Sequence, residues 1–204
     1  MFKIAVLISG GGTNLQSIID NIENGYLNNC SIEYVISDRK EAYGIERATL
    51  HNINTLILDR KVYKESLSKE ILKILKDKVD LIVLAGFTSI LDKSFIESFK
   101  NKIINIHPSL IPSFCGKGMY GLKVHEAAIK YGVKVSGCTV HFVDEGTDTG
   151  AIILQKVVDV VGNDTAKELQ KRILEKEHIA LSEAIKLISE NKVQVNGRIV
   201  TINK

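Results

Sequence analysis

Short apolar runs alternate with amphipathic stretches along the first half of the chain. Continuous runs at Ile4–Ile8 and over 80–86 are typical of strands that are buried on both faces of a parallel sheet. Between them, apolar residues recur at helical spacing, as in the set Leu15, Ile18, Ile19 and Ile22 and the set Leu67, Ile71, Ile74 and Leu75. Strands and helices that alternate in this way form βαβ units. The pattern therefore predicts an α/β fold: an open, doubly wound, mostly parallel, Rossmann-like sheet with helices on both faces.

The second half of the chain has a different pattern. The predicted elements are a helix over 123–131, strands over 136–143 and 151–154, a long helix over 166–190 and a hairpin over 194–202. Thr165 and Glu168 have the spacing of a capping box, which marks the start of the long helix. Asn196-Gly197 is a typical two-residue hairpin turn. On the helix over 123–131, His125 is expected to be a surface residue.

Length, charge and cysteine usage restrict the class of protein. A chain of 204 residues can bury one sizeable core, and a net charge of +3 does not indicate a protein dedicated to nucleic acid or membranes. The first residues run directly into a strand, without a signal peptide or a run of membrane-spanning length. The three cysteines, Cys30, Cys115 and Cys138, form no Cys-x-x-Cys pair. We therefore expect a cytoplasmic protein without disulfides or structural zinc.

A glycine-rich segment joins the first strand to the first helix. This segment, Ser9–Asn14, is called the glycine loop below. It is not a dinucleotide fingerprint, because Leu15 occupies the third glycine position, and it lacks the Lys of a Walker loop. Free backbone N–H groups at a helix start can bind an anion, so a monophosphate site is the favoured interpretation. The alternative is a tight turn without a ligand.

Asn105 and His107 lie at the end of the last predicted parallel run, over 103–107. Because side chains alternate along a strand, these two polar residues share one face. Pro108 cannot continue the ladder of hydrogen bonds and ends the strand. A histidine in such a place can simply be a solvated or capping residue. The Asn on an otherwise apolar strand favours a functional role instead.

Several polar or glycine-rich segments follow the carboxyl ends of predicted strands. They are the glycine loop, Gly86-Phe87 and His107. In open α/β sheets, ligands bind beyond these strand ends. The sequence therefore predicts one ligand site at this edge of the sheet. Asp38, at the end of the second strand, can bind a ribose hydroxyl or serve as a turn residue, and the turn is the preferred interpretation.

Four segments of the chain resemble the phosphoribosylglycinamide formyltransferases, folate-dependent enzymes of purine biosynthesis. They are Ser9-Gly10-Gly11-Gly12-Thr13-Asn14-Leu15-Gln16, Leu84-Ala85-Gly86-Phe87, Asn105-Ile106-His107-Pro108-Ser109-Leu110, and His141-Phe142-Val143-Asp144 continuing to Asp148-Thr149-Gly150. The resemblance implies a formyl transfer from 10-formyltetrahydrofolate, a co-substrate, to the amine of glycinamide ribonucleotide. The expected partners are these two substrates, with no metal, nucleic acid or membrane, and the expected oligomeric state is a monomer or weak homodimer.

The resemblance also assigns roles to individual residues. Asn105, His107 and Asp148 match the catalytic trio of the family. The ribonucleotide would contact Gly11, Gly12, Thr13, Asn14 and Glu177, and the folate would contact Arg60, Thr88, Ser89, Ile90, Leu91 and Asn105. Thr88-Ser89 and Ala151 depart from residues that are frequent in the family, as does Cys115, but none of these belongs to the trio. The expected organisation is one formyltransferase domain over 1–204, with phosphate and nucleotide binding in 1–100 and with catalysis and folate binding in 101–204.

Other functions compatible with the sequence share part of this site. A formyltetrahydrofolate hydrolase would use the same trio with water in place of the amine, and a non-catalytic nucleotide-binding module would need only the glycine loop. Glu177 also has two interpretations. It lies in an apolar stripe of the long helix, where it can contact substrate hydroxyls or can reach solvent and pair with Arg172 or Lys176.

Overall fold

In the computed structural model, which describes residues 1–203, the strands form a seven-stranded sheet in the order β3-β2-β1-β4-β5-β6-β7. A separate two-stranded hairpin contains β8 and β9. The chain divides into two compact units, Met1–Asn105 and Ile106–Lys204. The predicted fold class is confirmed, with a mostly parallel sheet, a long C-terminal helix and a closing hairpin. The assignment of 1–204 to one domain stays a prediction.

The first unit is built from parallel strands. Its strands are β1 (Phe2–Ile8), β2 (Cys30–Ser37), β3 (Thr55–Ile57), β4 (Leu81–Leu84) and the start of β5 (Ile103–His107). Its helices are α1 (Thr13–Glu23), α2 (Gly44–Leu50), α3 (Arg60–Tyr63), α4 (Leu67–Leu75) and α5 (Lys93–Ser98), with a 3₁₀ turn at Lys64–Ser66. Strand β1 pairs in parallel with both β2 and β4. Because it has a neighbour on each side, its residues Ile4–Ile8 are completely buried, as the continuous apolar run predicts.

The second unit continues from β5 into an antiparallel arrangement. Its elements are α6 (Leu122–Tyr131), β6 (Val135–Phe142), β7 (Ile152–Asp159), α7 (Ala166–Ser189), β8 (Val193–Asn196) and β9 (Ile199–Ile202). Strands β6 and β7 pair antiparallel. Thr165 and Glu168 form the predicted capping box at the start of α7. In residues 1–203, no helix is long and apolar enough to cross a membrane.

Two helices of the first unit were not predicted from the hydrophobic pattern, and one strand is longer than expected. The short helices α3 and α5 each begin after an aspartate whose side chain accepts a backbone N–H bond, Asp59 for α3 and Asp92 for α5. Four and six residues are too few to show helical periodicity. Strand β7 extends to Asp159 because it pairs with β6 as far as Val135, the first residue of that strand.

Candidate active site

His107 and Asp148 form the centre of the candidate site in the second unit. The Nδ1 atom of His107 lies 3.5 Å from Oδ2 of Asp148, and both side chains are largely shielded from solvent. The same carboxylate oxygen accepts a hydrogen bond from the backbone N–H of Gly116 at 2.9 Å. Asp148 has a φ of +57°, a conformation that is unfavourable for a residue with a side chain. The sequence-predicted pair is therefore brought together, and the Asp148 backbone is held in an uncommon conformation to do so.

The other ring nitrogen of His107 contacts the backbone of the following loop. Nε2 lies 3.0 Å from the carbonyl oxygen of Phe114. A carbonyl can only accept, so Nε2 carries the proton and donates it. Phe114 itself has a φ of +51°, and its carbonyl also accepts from the Ser109 hydroxyl at 3.3 Å. Both ring nitrogens of His107 therefore face an oxygen atom that can accept a hydrogen bond.

Asn105 lies on the same strand as His107, two residues earlier. Its position in β5 is opposite Leu84 of β4. The alternation along β5 places the two polar residues on one face, as predicted, and Ile104 and Ile106 on the other. An amide and an imidazole with this spacing can both donate hydrogen bonds to one oxygen atom.

A second histidine, His141 on β6, also faces Asp148. Its Nε2 lies 3.8 Å from Oδ1 of Asp148, and its Nδ1 donates to the carbonyl of Phe142 at 2.8 Å. Burial lowers the pKa of His141, while the hydrogen bond to Phe142 and the charge of Asp148 act in the opposite direction. His141 lies in one of the four segments that resemble the family, but the sequence assigned it no role. The available signal was its place near the end of the strand that leads into the Asp148 loop.

His125 is not a surface residue, so that expectation was wrong. It is 1% exposed on α6, and its Nδ1 has no hydrogen-bond partner among residues 1–203. Burial, followed by repulsion from His107, lowers its pKa to about 4. His125 is therefore neutral at pH 7 and lies within electrostatic range of the candidate catalytic histidine.

The glycine loop has a defined conformation in the first unit. Helix α1 begins at Thr13, and Gly12 precedes it with a φ of +71°, which favours glycine. Gly11 and Thr13 are exposed, whereas Asn14 is buried. A Cβ atom on Gly12 would lie only 2.6 Å from Cα of Gly44, at the start of α2. The predicted strand–loop–helix unit is confirmed, and its closest contact is with α2.

Three of the predicted folate residues belong to a polar cluster in the first unit. The guanidinium of Arg60 donates to the Thr88 hydroxyl at 2.9 Å, and the hydroxyl of Ser89 donates to Asp38. Arg60 lies 3.5 Å from Asp38, which is completely buried. Asp38 is therefore more than a turn residue, because its carboxylate ties β2 to the segment after β4. Ile90 is 80% exposed, and Leu91 is buried.

Glu177 is buried on α7 in the second unit. It is 8% exposed, so the interpretation that it reaches solvent was wrong. Arg172 pairs with Asp164. Burial, with a smaller contribution from the charge of Glu177, raises the pKa of the Cys138 thiol to about 12. A carboxylate shielded from water next to an apolar stripe needs hydrogen-bond donors to stabilise its charge.

Comparison with known proteins agrees with this geometry. The chain matches the formyl transferase family over residues 2–185. A crystal structure of glycinamide ribonucleotide transformylase 1 from Symbiobacterium toebii is 42% identical in sequence and superposes with a TM-score of 0.94. The match covers 100% of this chain and 95% of that one.

Two curated relatives differ in how much of their length is matched. The chloroplastic phosphoribosylglycinamide formyltransferase of Arabidopsis thaliana is 38% identical over 94% of this chain and 67% of its own length. The trifunctional purine biosynthetic protein adenosine-3 of Chironomus tentans is 39% identical over 98% of this chain, which spans 14% of that protein. On these matches the chain belongs to the formyl transferase family and, within it, to the phosphoribosylglycinamide formyltransferases.

Proposed function

We propose that this chain transfers the formyl group of 10-formyltetrahydrofolate to the amine of glycinamide ribonucleotide, a step of purine biosynthesis. The observation that carries the proposal is the His107–Asp148 pair at the end of β5, with Asn105 on the same strand face. In a member of this family, that arrangement supplies the groups that the reaction needs. We further propose that it acts in the cytoplasm as a monomer or weak homodimer.

The chemistry of the reaction explains the three residue types. The amine nitrogen attacks the formyl carbon, and the carbonyl oxygen becomes an oxyanion that needs fixed hydrogen-bond donors. The Asn105 amide and the protonated His107 ring supply such donors. The attacking nitrogen must lose a proton and the folate nitrogen must gain one as the carbon–nitrogen bond breaks. Asp148 accepts the proton of the attacking nitrogen, directly or through a water molecule, and stabilises the charge on His107. The same proton then passes to the folate nitrogen as the carbon–nitrogen bond breaks, so that the step balances.

We assign the two ends of the ribonucleotide to different elements. The phosphate binds the backbone N–H groups and the side chains of the glycine loop, at Gly11, Gly12, Thr13 and Asn14. The start of α1 favours an anion there because of the helix dipole. Glu177, buried on α7, accepts hydrogen bonds from the ribose hydroxyls, as the resemblance to the family implies.

For the folate, the proposed contacts are Arg60, Thr88, Ser89, Ile90 and Leu91, together with Asn105. The Ser89 hydroxyl already donates its proton to Asp38, so without a rearrangement its oxygen can only accept a hydrogen bond from the folate. Arg60 is partly exposed and carries a positive charge that suits a folate carboxylate. Ile90 presents an exposed apolar side chain that suits the folate ring.

The test is a folate absorbance assay with purified protein, formyl-folate and candidate acceptors. We expect turnover with glycinamide ribonucleotide and little without it, and the same rate in the presence of a chelator. Equal turnover without the acceptor would indicate a hydrolase. Binding of the ribonucleotide without turnover would indicate a nucleotide-binding module. Sedimentation at several protein concentrations tests the proposed oligomeric state.

A further inference from the structure

The glycine loop is held from one side by α2, a helix to which no function has been assigned above. The carbonyl of Gly10 accepts from the backbone N–H of Gly44 at 3.0 Å. The carbonyl of Gly11 accepts from Nε of Arg47 at 2.8 Å. Two successive carbonyls of the loop are therefore bound by α2, one through its backbone and one through a side chain.

The planarity of the peptide bond gives these contacts a consequence for the N–H groups. In a trans peptide, the carbonyl of one residue and the N–H of the next point in opposite directions. The carbonyls of Gly10 and Gly11 point to α2, so the N–H groups of Gly11 and Gly12 point away from it. Successive N–H groups on one side of a loop are the arrangement that binds phosphate.

Arg47 is itself fixed by further contacts. Its Nη1 donates to the side-chain oxygen of Gln16 at 3.2 Å, and its guanidinium lies over the Tyr43 ring, 5.0 Å from the centroid. Gln16 is in the first turn of α1, so Arg47 joins the loop to the helix that follows. Among residues 1–203, no carboxylate lies within 4.0 Å of this guanidinium, and its charge is not neutralised by a direct ion pair.

We propose that Arg47 is a positioning residue for the phosphate site: it orients the Gly11–Gly12 peptide and adds positive charge beside the glycine loop. The proposal rests on the proposed binding of the ribonucleotide phosphate by that loop. Arg47 needs no contact with the substrate for this role, because its hydrogen bond to the Gly11 carbonyl acts on the opposite side of the peptide.

The test compares two ligands, glycinamide ribonucleotide and the corresponding ribonucleoside without phosphate, by calorimetry. Arg47→Met should weaken the ribonucleotide about 10- to 100-fold, the effect of losing a charged hydrogen bond. The affinities of the variant for the ribonucleoside and for formyl-folate should stay within about twofold of the wild-type values. The turnover number at saturating ribonucleotide should also stay within about threefold. Arg198→Met, in the exposed hairpin turn, is the control for the change in net charge.

Several outcomes overturn the inference. They are an unchanged ribonucleotide affinity in Arg47→Met, an equal loss for both ligands, or an equal loss in Arg198→Met. Should Arg47→Met fail to fold, Arg47→Lys carries the test, since it keeps the charge but has no donor at the Nε position. If Arg47→Lys binds the ribonucleotide several-fold more weakly than wild type but binds the ribonucleoside equally well, the positioning role is supported. If Arg47→Lys binds the ribonucleotide with wild-type affinity, the role is overturned. Equal binding of ribonucleotide and ribonucleoside by the wild-type protein would instead contradict the proposed phosphate site.

Discussion

Nδ1 of His107 and Oδ2 of Asp148 lie 3.5 Å apart, although the two residues are separated by 41 positions in the chain. The aspartate comes from the loop between β6 and β7, and the histidine from the end of β5. Neither side chain is free to turn, because Gly116 binds the carboxylate and Phe114 binds the ring. The pair is thus assembled in the protein before any substrate binds.

We expect His107→Ala and Asp148→Asn to lower the turnover number by roughly 10²- to 10⁴-fold, the usual effect of losing one acid–base or oxyanion group. Ribonucleotide affinity should change little, because neither residue is assigned to the nucleotide. Steady-state kinetics on variants shown to be folded by circular dichroism provides the measurement. Asp144→Asn, in the same loop but exposed, is the matched control. Near-normal turnover in either variant would contradict the assigned mechanism.

Gly12→Ala tests the glycine loop. The added Cβ would lie 2.6 Å from Cα of Gly44, in a backbone conformation that costs about 1–2 kcal/mol for a residue with a side chain. We expect a lower melting temperature and at least a tenfold loss of ribonucleotide affinity by calorimetry, with formyl-folate affinity largely retained. Gly10→Ala is the control, since no atom lies within 4 Å of its added Cβ. An equal loss of both ligands would mean that the loop only supports the fold.

Glu177→Ala should raise the ribonucleotide KM more than it lowers kcat, which is the sign of an interaction made equally in ground and transition states. The loss of a charged hydrogen bond predicts an increase of about 10- to 100-fold. Glu175→Ala, on the exposed side of the same helix, is the matched control. A normal KM together with a lower melting temperature would assign Glu177 a structural role.

His125 predicts a pH dependence of stability. Its pKa is about 4 in the folded protein, against an ordinary value of 6.5, so the unfolded chain binds more protons between these values. Its contribution to the free energy of unfolding is therefore complete above pH 6.5 and is lost as the pH falls towards 4. A pKa difference of this size corresponds to a change of up to about 3 kcal/mol in the free energy of unfolding.

The measurement is urea unfolding of wild type and His125→Asn from pH 4 to pH 7. Asparagine cannot titrate, so the stability of the variant should fall less steeply below pH 6.5. The constant loss from removing the ring appears as a vertical offset and does not affect the comparison of slopes. Parallel curves for the two proteins would show that His125 is not the group that titrates.

The sequence was sufficient to predict features that depend on local periodicity. The alternation along β5 placed Asn105 and His107 on one face, and the position of the glycine loop followed from one strand and one helix. The burial of His125 could not be predicted, because Val124 and Ala128 define only a narrow stripe beside it on α6. Which neighbouring residue is also covered depends on the packing of α6 against α7.

Contacts between residues far apart in the chain were also missed. The hydrogen bond between Ser89 and Asp38 joins the ends of two strands, and it depends on the order of the strands in the sheet. Arg47 gave no signal either, since a partly exposed arginine on a short helix is usually solvated. Its partner is a backbone carbonyl, which exists at every position and therefore has no sequence pattern.

The carbonyl of Phe114 accepts from Nε2 of His107. In the proposed mechanism, a formyl oxygen that bonds to this nitrogen would replace one neutral carbonyl acceptor by another, and this exchange would add little to the affinity for the substrate. When the oxygen becomes negative, the same N–H group forms a stronger, charge-assisted bond that Phe114 cannot match. In the proposed mechanism, the loop carbonyl would therefore act as an internal competitor: a neutral formyl oxygen gains little by displacing it, whereas the oxyanion gains a stronger bond.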